Sequence, residues 1–362
     1  MDTSQKNLYF VNPIIDYIFI GGVSTLTFVL MMLFIGNNYE VATIMTIVAS
    51  LSWVCNNPHF AATTYRLYKS KQNMMQFPFT SFVVPFIVIA GIGASLYFPE
   101  TVAPFFIKFF FIWSPFHFSG QSFGISMVYA KRAGYKMSSF ERESLKVFIY
   151  SSFIAILFKV DMHFAESEHY TLKYAALNIP DWSYFSVLTI MCISGLIVFY
   201  QAYRWSKKNK KLLPPIVLLP AITHIVWFIG GSQHISFDAF VPFFHSAQYL
   251  FIAWAMQMKD ISNNESQLEK ITIKKSFIQT LMWFSFNCLV GAFMFEGIPL
   301  LFPYFNTSPL IGFGIVIAGV QIHHFFVDGV IWKLKDQSKK SALVVHISEY
   351  INTSAKLPEV KI

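Results

Sequence analysis

The chain has 362 residues, 55% of them hydrophobic and only 13% charged, with a mean hydropathy of +0.50. Soluble domains carry roughly 25% charged residues, so this composition excludes an ordinary soluble globule and points to an integral membrane protein with many spans. The net charge of +8 does not signal a nucleic-acid partner, because the basic residues sit in short clusters between apolar runs, as loops flanking membrane spans do.

Lipid offers no hydrogen bonds, so each span must satisfy its own backbone. The apolar runs are long and continuous rather than alternating with period two, which predicts helices and an all-α, polytopic bundle. The opening stretch "MDTSQKNLYFVNPIIDYIFIGG" has no small-residue cleavage site after its first apolar run and reads as a retained first span. About 20 residues cross the hydrocarbon core. About ten candidates occur in chain order, near 14–35, 41–65, 77–98, 103–130, 145–160, 183–203, 212–231, 237–257, 276–300 and 308–332.

Charge supports this count. Arg66, Lys69 and Lys71 follow the second candidate, Lys131, Arg132 and Lys136 the fourth, and Arg204, Lys207, Lys208, Lys210 and Lys211 the sixth. Lys259, Lys270, Lys274 and Lys275 follow the eighth, and Lys333, Lys335, Lys339 and Lys340 the tenth. The alternate connections "GNNYE", "FPE", "GGSQHISFD" and "EGIPLLFPYFNTS" contain neither Lys nor Arg. The positive-inside bias then places both termini in the cytoplasm. The expected organisation is a membrane domain over 1–335 and a cytoplasmic tail over 336–362, read as solvated, in a bacterial inner (plasma) membrane. Lys131, Arg132 and Arg142 are candidates for contact with lipid phosphates. The segment 161–182, with His163, Glu166, Glu168 and His169, reads as a small interfacial element on the outer side. Cys55, Cys192 and Cys288 all fall in apolar runs and read as buried thiols, not a disulfide framework or a CxxC site.

Six of the ten histidines lie within candidate spans: His59, His117, His224, His245, His323 and His324. Ionisable groups inside a membrane are costly and mark functional sites by default. Counted to the nearest basic flank, they lie about 7 to 14 residues in, or roughly 10–21 Å at 1.5 Å per residue. Six histidines on five helices thus occupy one slab, and all six are candidate metal ligands. A single intramembrane histidine is as readily a hydrogen-bonded packing residue; six at one depth make independent packing roles the weaker reading.

Their neighbours sharpen this. In "PFHFSGQSFG", Gln121 stands four after His117. In "FFHSAQYLF", Gln248 stands three after His245. In "QIHHFFVDGVIWKLK", Asp328 stands four after His324. Spacings of three and four share a helix face. A metal-bound imidazole usually donates its other N–H to a carboxylate or amide, so Gln121, Gln248 and Asp328 are candidate partners or occasional ligands. Asn56 and Asn57, beside Pro58 in "NNPHF", could serve similarly. Adjacent His323 and His324 point about 100° apart on a helix, so sharing one ion requires different reach.

Imidazole-rich sites without cysteine suit iron, copper or zinc, and a haem on one or two histidines is the alternative. Such a site in lipid, among many aromatics, fits oxygen chemistry on an apolar substrate. No P-loop or G-x-G-x-x-G occurs, and "GQSFG", residues 120–124, has the letters of G-x-S-x-G but lies inside the fourth apolar run, not on the strand-to-helix turn of a nucleophile elbow. "FVPFFHSAQYLFIAW", about fifteen residues around His245, resembles the Phe/Trp-His-Ser element of the Brp/Blh family of membrane β-carotene-cleaving dioxygenases. The resemblance implies a polytopic fold, iron held by intramembrane histidines, and His245 as one ligand. The chain departs from that pattern at Gln248-Tyr249 and lacks the family's His-Gly…Asp element. The expectation is a membrane oxygenase with Fe2+, acting on a carotenoid or lipid acyl chain. A transporter or proton-coupled channel with a histidine relay is the competing reading.

Overall fold

The computed structural model describes residues 8–35, 41–163, 168–173, 175–233, 237–264, 271–301, 308–331 and 347–351. The fold is all-α. Ten helical stretches among these residues overlap the ten candidates: α1 (13–35), α2 (41–68), α3 (79–97), α4 (Ala103–Arg132), α5 (Ser139–His163), α6 (Asp181–Asn209), α7 (219–230), α8 (Val241–Asn264), α9 (273–297) and α10 (Pro309–Ile331); α7 is shorter than its candidate. Five stretches are long and apolar enough to cross a membrane: Pro13–Phe34, Phe79–Tyr97, Asp181–Asn209, Ile273–Leu301 and Pro309–Ile331. The described strands are one two-residue pair, Glu168–His169 with Leu172–Lys173, within the segment read as interfacial. Lys333, Lys335, Lys339 and Lys340, which follow the tenth candidate, lie outside the described residues.

Proline shapes several helices. A helical proline lacks an N–H and its ring collides with the carbonyl four residues back. Here the chain answers with a π turn ending one residue earlier. The N–H of Asn57, before Pro58, reaches back five residues to the Ser52 carbonyl. Val84, before Pro85, does the same to Phe79, and Ile298, before Pro299, to Phe293. In α2 and α3 the helix continues past the widened turn, and His59 lies just beyond the one in α2. Such single turns recur at functional sites.

α5 is longer than expected. A capping box starts it: the Ser138 hydroxyl accepts from the Glu141 N–H at 3.3 Å, and the Glu141 carboxylate accepts from the Ser138 N–H at 2.7 Å. The polar first turns of α5 are helical but too charged for a hydropathy window to include. At the other end of α5, Asp161 is buried against Lys108 of α4 as an ion pair.

α10 is the hub beneath the site, packed against α2, α3 and α4; α9 and α8 also pack against α2, and α7 against α4 and α5. The C-terminal segment departs from the solvated tail expected of it. Ile347, Tyr350 and Ile351 are buried in one cluster with Leu8 and Phe10. The Ile347 N–H donates to the Phe10 carbonyl at 2.9 Å, and Ile271 N–H to the Tyr350 carbonyl at 2.9 Å. Arg132 is likewise turned inward, donating to the Leu8 carbonyl at 3.4 Å and covering the Phe10 ring at 4.1 Å, rather than facing lipid.

α9 meets α2 through Gly291, where an added Cβ would lie 2.4 Å from the Asn57 carbonyl oxygen. Backbone cannot yield as a side chain does, so Gly291→Ala should cost about 1–3 kcal/mol, read as a lowered Tm in detergent. Gly93→Ala, whose Cβ would meet nothing within 4 Å, should leave Tm nearly unchanged.

Candidate metal centre

His59 of α2, His117 of α4, His245 of α8 and His324 of α10 converge, each offering a ring nitrogen within 4.8 Å of the others. All four side chains are buried. The Nε2 atoms of His59 and His324 are 2.9 Å apart, and those of His324 and His117 are 3.3 Å apart. His245 completes the group edge-on, its ring centroid 5.0 Å from those of both His59 and His117.

Hydrogen bonding alone accounts poorly for this cluster. A neutral imidazole nitrogen either donates one proton or offers one lone pair. His324 Nε2 faces two others at once, and can satisfy one of them well. His59 Nδ1, His324 Nδ1 and both nitrogens of His245 are buried with no hydrogen-bond partner. Leaving a buried polar atom unsatisfied costs about 1–3 kcal/mol. A shared cation would resolve the conflict at the converging nitrogens. Two nitrogens each about 2.1 Å from one ion stand about 3.0 Å apart at a right angle and about 3.4 Å apart at the tetrahedral angle. The observed 2.9 and 3.3 Å match that range. The donor set, four imidazoles and no thiolate, suits iron, copper or zinc. The unpartnered Nδ1 atoms depart from the usual pattern, in which the second nitrogen donates to a carbonyl or carboxylate.

The coat around the cluster is aromatic. Phe118 lies 4.2 Å from the His245 ring, Phe60 4.3 Å from His324 and Phe325 4.9 Å from His117, centroid to centroid. Tyr249 packs edge-on against His59 at 4.1 Å. Its hydroxyl is 2.6 Å from Thr63 Oγ1, which lies 3.1 Å from the His59 carbonyl oxygen, tying the ring to the helix that carries it.

Two expected ligands stand apart. His224 is saturated by serines, with Nε2 3.0 Å from Ser119 Oγ and Nδ1 2.8 Å from Ser152 Oγ, so neither nitrogen is free for a metal. His323 turns away from His324, stacks on Tyr68 and lies 3.3 Å from its hydroxyl. The glutamines also differ from the expected role. Gln121 Nε2 donates to the His245 carbonyl at 3.0 Å and to Gln248 Oε1 at 3.2 Å. Gln248 Nε2 donates to the Ile20 carbonyl, at 2.5 Å, inside a π turn of α1. The pair therefore braces the backbone of α8 rather than an imidazole N–H. Asp328 does reach the centre, but on the coordinating side: its Oδ2 is 3.6 Å from His117 Nε2.

A cavity of about 420 Å³ opens on this side, with His117 and Asp328 in its wall. Trp113, Phe116, Gly120, Gln121, Gly124 and Val128 line it along α4. Spacings of three and four keep them on one face with His117. Thr63 and the two glycines were not singled out in the sequence, although the glycine spacing from His117 was visible there, and Tyr249 figured only as a departure from the resembled pattern.

Comparison of the chain with protein-family models, curated proteins and solved structures finds no match.

If His224 is a packing residue, Ser152→Ala should destabilise the fold by about 1–2 kcal/mol, seen as a lower Tm. Metal content should stay unchanged.

Proposed function

We propose that the chain is a membrane-embedded oxygenase that holds a non-haem iron on His59, His117, His245 and His324 and oxidises a long apolar substrate. The observation that carries this reading is the four-histidine cluster, with its unpartnered nitrogens, reached through His117 from an apolar cavity. The neutral imidazoles supply four donors without charge, and Asp328 supplies one carboxylate to offset that of a divalent cation. Iron so held would supply the binding and activation of O2.

The protein's own part is placement and exclusion of water. The wall residues on α4 run from Trp113 to Val128, about 22 Å at 1.5 Å per residue. A long chamber lined by rings and glycines fits a linear polyene or acyl chain better than a compact solute. His117 is the one tetrad residue in that wall, so the substrate would pass the centre on the His117–Asp328 side. Cleavage of a carbon–carbon double bond by O2, as the resemblance around His245 implies, places both oxygen atoms in two carbonyl products and needs no added reductant. The aromatic coat of Phe60, Phe118 and Phe325 would keep water from the centre.

The geometry speaks against a haem held between two of these four histidines. Axial nitrogens about 4 Å apart with a wide macrocycle between them do not fit imidazoles at 2.9 and 3.3 Å. A proton relay would string its groups across the membrane, whereas these gather around one point.

Purified protein should contain about one iron per chain by elemental analysis, with no Soret band. Alanine at His59, His117, His245 or His324 should lower that content by about tenfold or more, in keeping with the loss of a direct ligand. His224→Gln and His323→Gln should retain it. Protein free of iron, copper and zinc with full activity would remove the reading.

Gly124 has open space where a side chain would project. Gly124→Leu should therefore fill the chamber. Oxygen uptake with a linear polyene such as β-carotene should fall by at least tenfold, as expected when a well-packed apolar site is blocked, while bound iron stays at the wild-type level.

A further inference from the structure

A second pocket lies far from the histidines, where α6 and the start of α5 meet at the basic end of the bundle. It is a groove of about 750 Å³. Lys136, Arg204, Lys207 and Lys208 line it, against one carboxylate, Glu141. That carboxylate is already engaged, accepting from the Tyr135 hydroxyl at 3.0 Å and from the Ser138 N–H at 2.7 Å. Gln201 also lines the groove. Its side chain is more than nine-tenths buried, and its Nε2 has no hydrogen-bond partner. A buried donor left unpaired beside four cations is the recognition surface of an anion with several acceptor oxygens.

The surroundings say which anion. Tyr135 packs against Trp205 at 5.7 Å, Arg204 lies over Tyr200 at 5.9 Å and Lys207 over Tyr203 at 5.5 Å. Aromatic rings mixed with Lys and Arg at a helix end are the pattern of the headgroup layer. Directly along α6 from the groove, Phe199, Leu196 and Ile193 are exposed. An acyl chain would cover such a face, and a soluble phosphate would leave it bare.

We infer that this groove binds the headgroup phosphate of an anionic phospholipid, with Gln201, Lys207 and Lys208 on the phosphate oxygens and the acyl chains along the exposed face of α6. This site is independent of the metal centre and stands or falls without it.

The test is native mass spectrometry of the full chain in neutral detergent, titrated with dioleoyl phosphatidylglycerol or dioleoyl phosphatidylcholine. The phosphatidylglycerol should bind preferentially. Lys207→Gln with Lys208→Gln should weaken it about thirtyfold, as two charges near a membrane surface predict. Gln201→Leu, which changes no charge, should weaken it about tenfold. Lys71→Gln with Lys274→Gln, basic residues elsewhere on the fold, should leave it unchanged and serve as the control. Equal loss in that control would reduce the effect to diffuse charge and overturn the site. Equal binding of the two lipids, or full displacement by millimolar inorganic phosphate, would overturn the lipid assignment.

Discussion

The approach of His59 to His324, Nε2 to Nε2 at 2.9 Å, is the contact on which the rest of the interior depends. Two buried imidazoles with no partner on their far nitrogens do not come together of their own accord in an apolar medium. The surrounding structure holds them there. Pro58 and the π turn before it set the direction of α2. Gly291 lets α9 press against the Asn57 backbone, and Thr63 with Tyr249 fixes the His59 carbonyl. On the opposite side, the Gln121–Gln248–Ile20 ladder braces α8, which carries His245. Expensive local geometry maintained from several helices is how proteins hold a site whose function lies in its ligand.

α4 links the histidine cluster to the cavity. Its face presents His117 to the cluster and, at spacings of three and four, Trp113, Gly120, Gln121 and Gly124 to the cavity. One helix face thus joins the centre to the chamber, and Asp328 of α10 closes the junction at 3.6 Å from His117. The buried pair Lys108–Asp161 ties α4 to α5 near the other end. The bundle's outer helices, α9, α1 and α6 among them, remain largely exposed and apolar, as lipid-facing surfaces are.

Much of this was readable in the residues before the fold. Composition and continuous apolar runs specify helices because lipid leaves the backbone no other partner, and all ten stretches appear near their expected places. Depth along each helix was readable too, which is why six histidines could be grouped. Azimuth was not. His323 and His324 differ by one residue, yet only His324 points into the cluster while His323 stacks on Tyr68 at the end of α2, because rotation about the helix axis is set by packing with α2, α3 and α4. His224 shares the depth, but Ser119 and Ser152 from two other helices take both its nitrogens. The capping box of α5 was present as Ser138-x-x-Glu141, a local signal that hydropathy overlooks. The docking of Ile347 and Ile351 on Leu8 and Phe10 joins opposite ends of the chain and leaves no local trace.

The most direct test of a shared iron centre is anomalous diffraction at the iron edge from crystals of the full-length protein. The expected result is a single strong peak among the four rings, about 2.1 Å from one nitrogen each of His59, His117, His245 and His324. A peak on His224 or His323 instead, or density for a hydrogen-bonded histidine cluster with no peak in iron-replete protein, would contradict it.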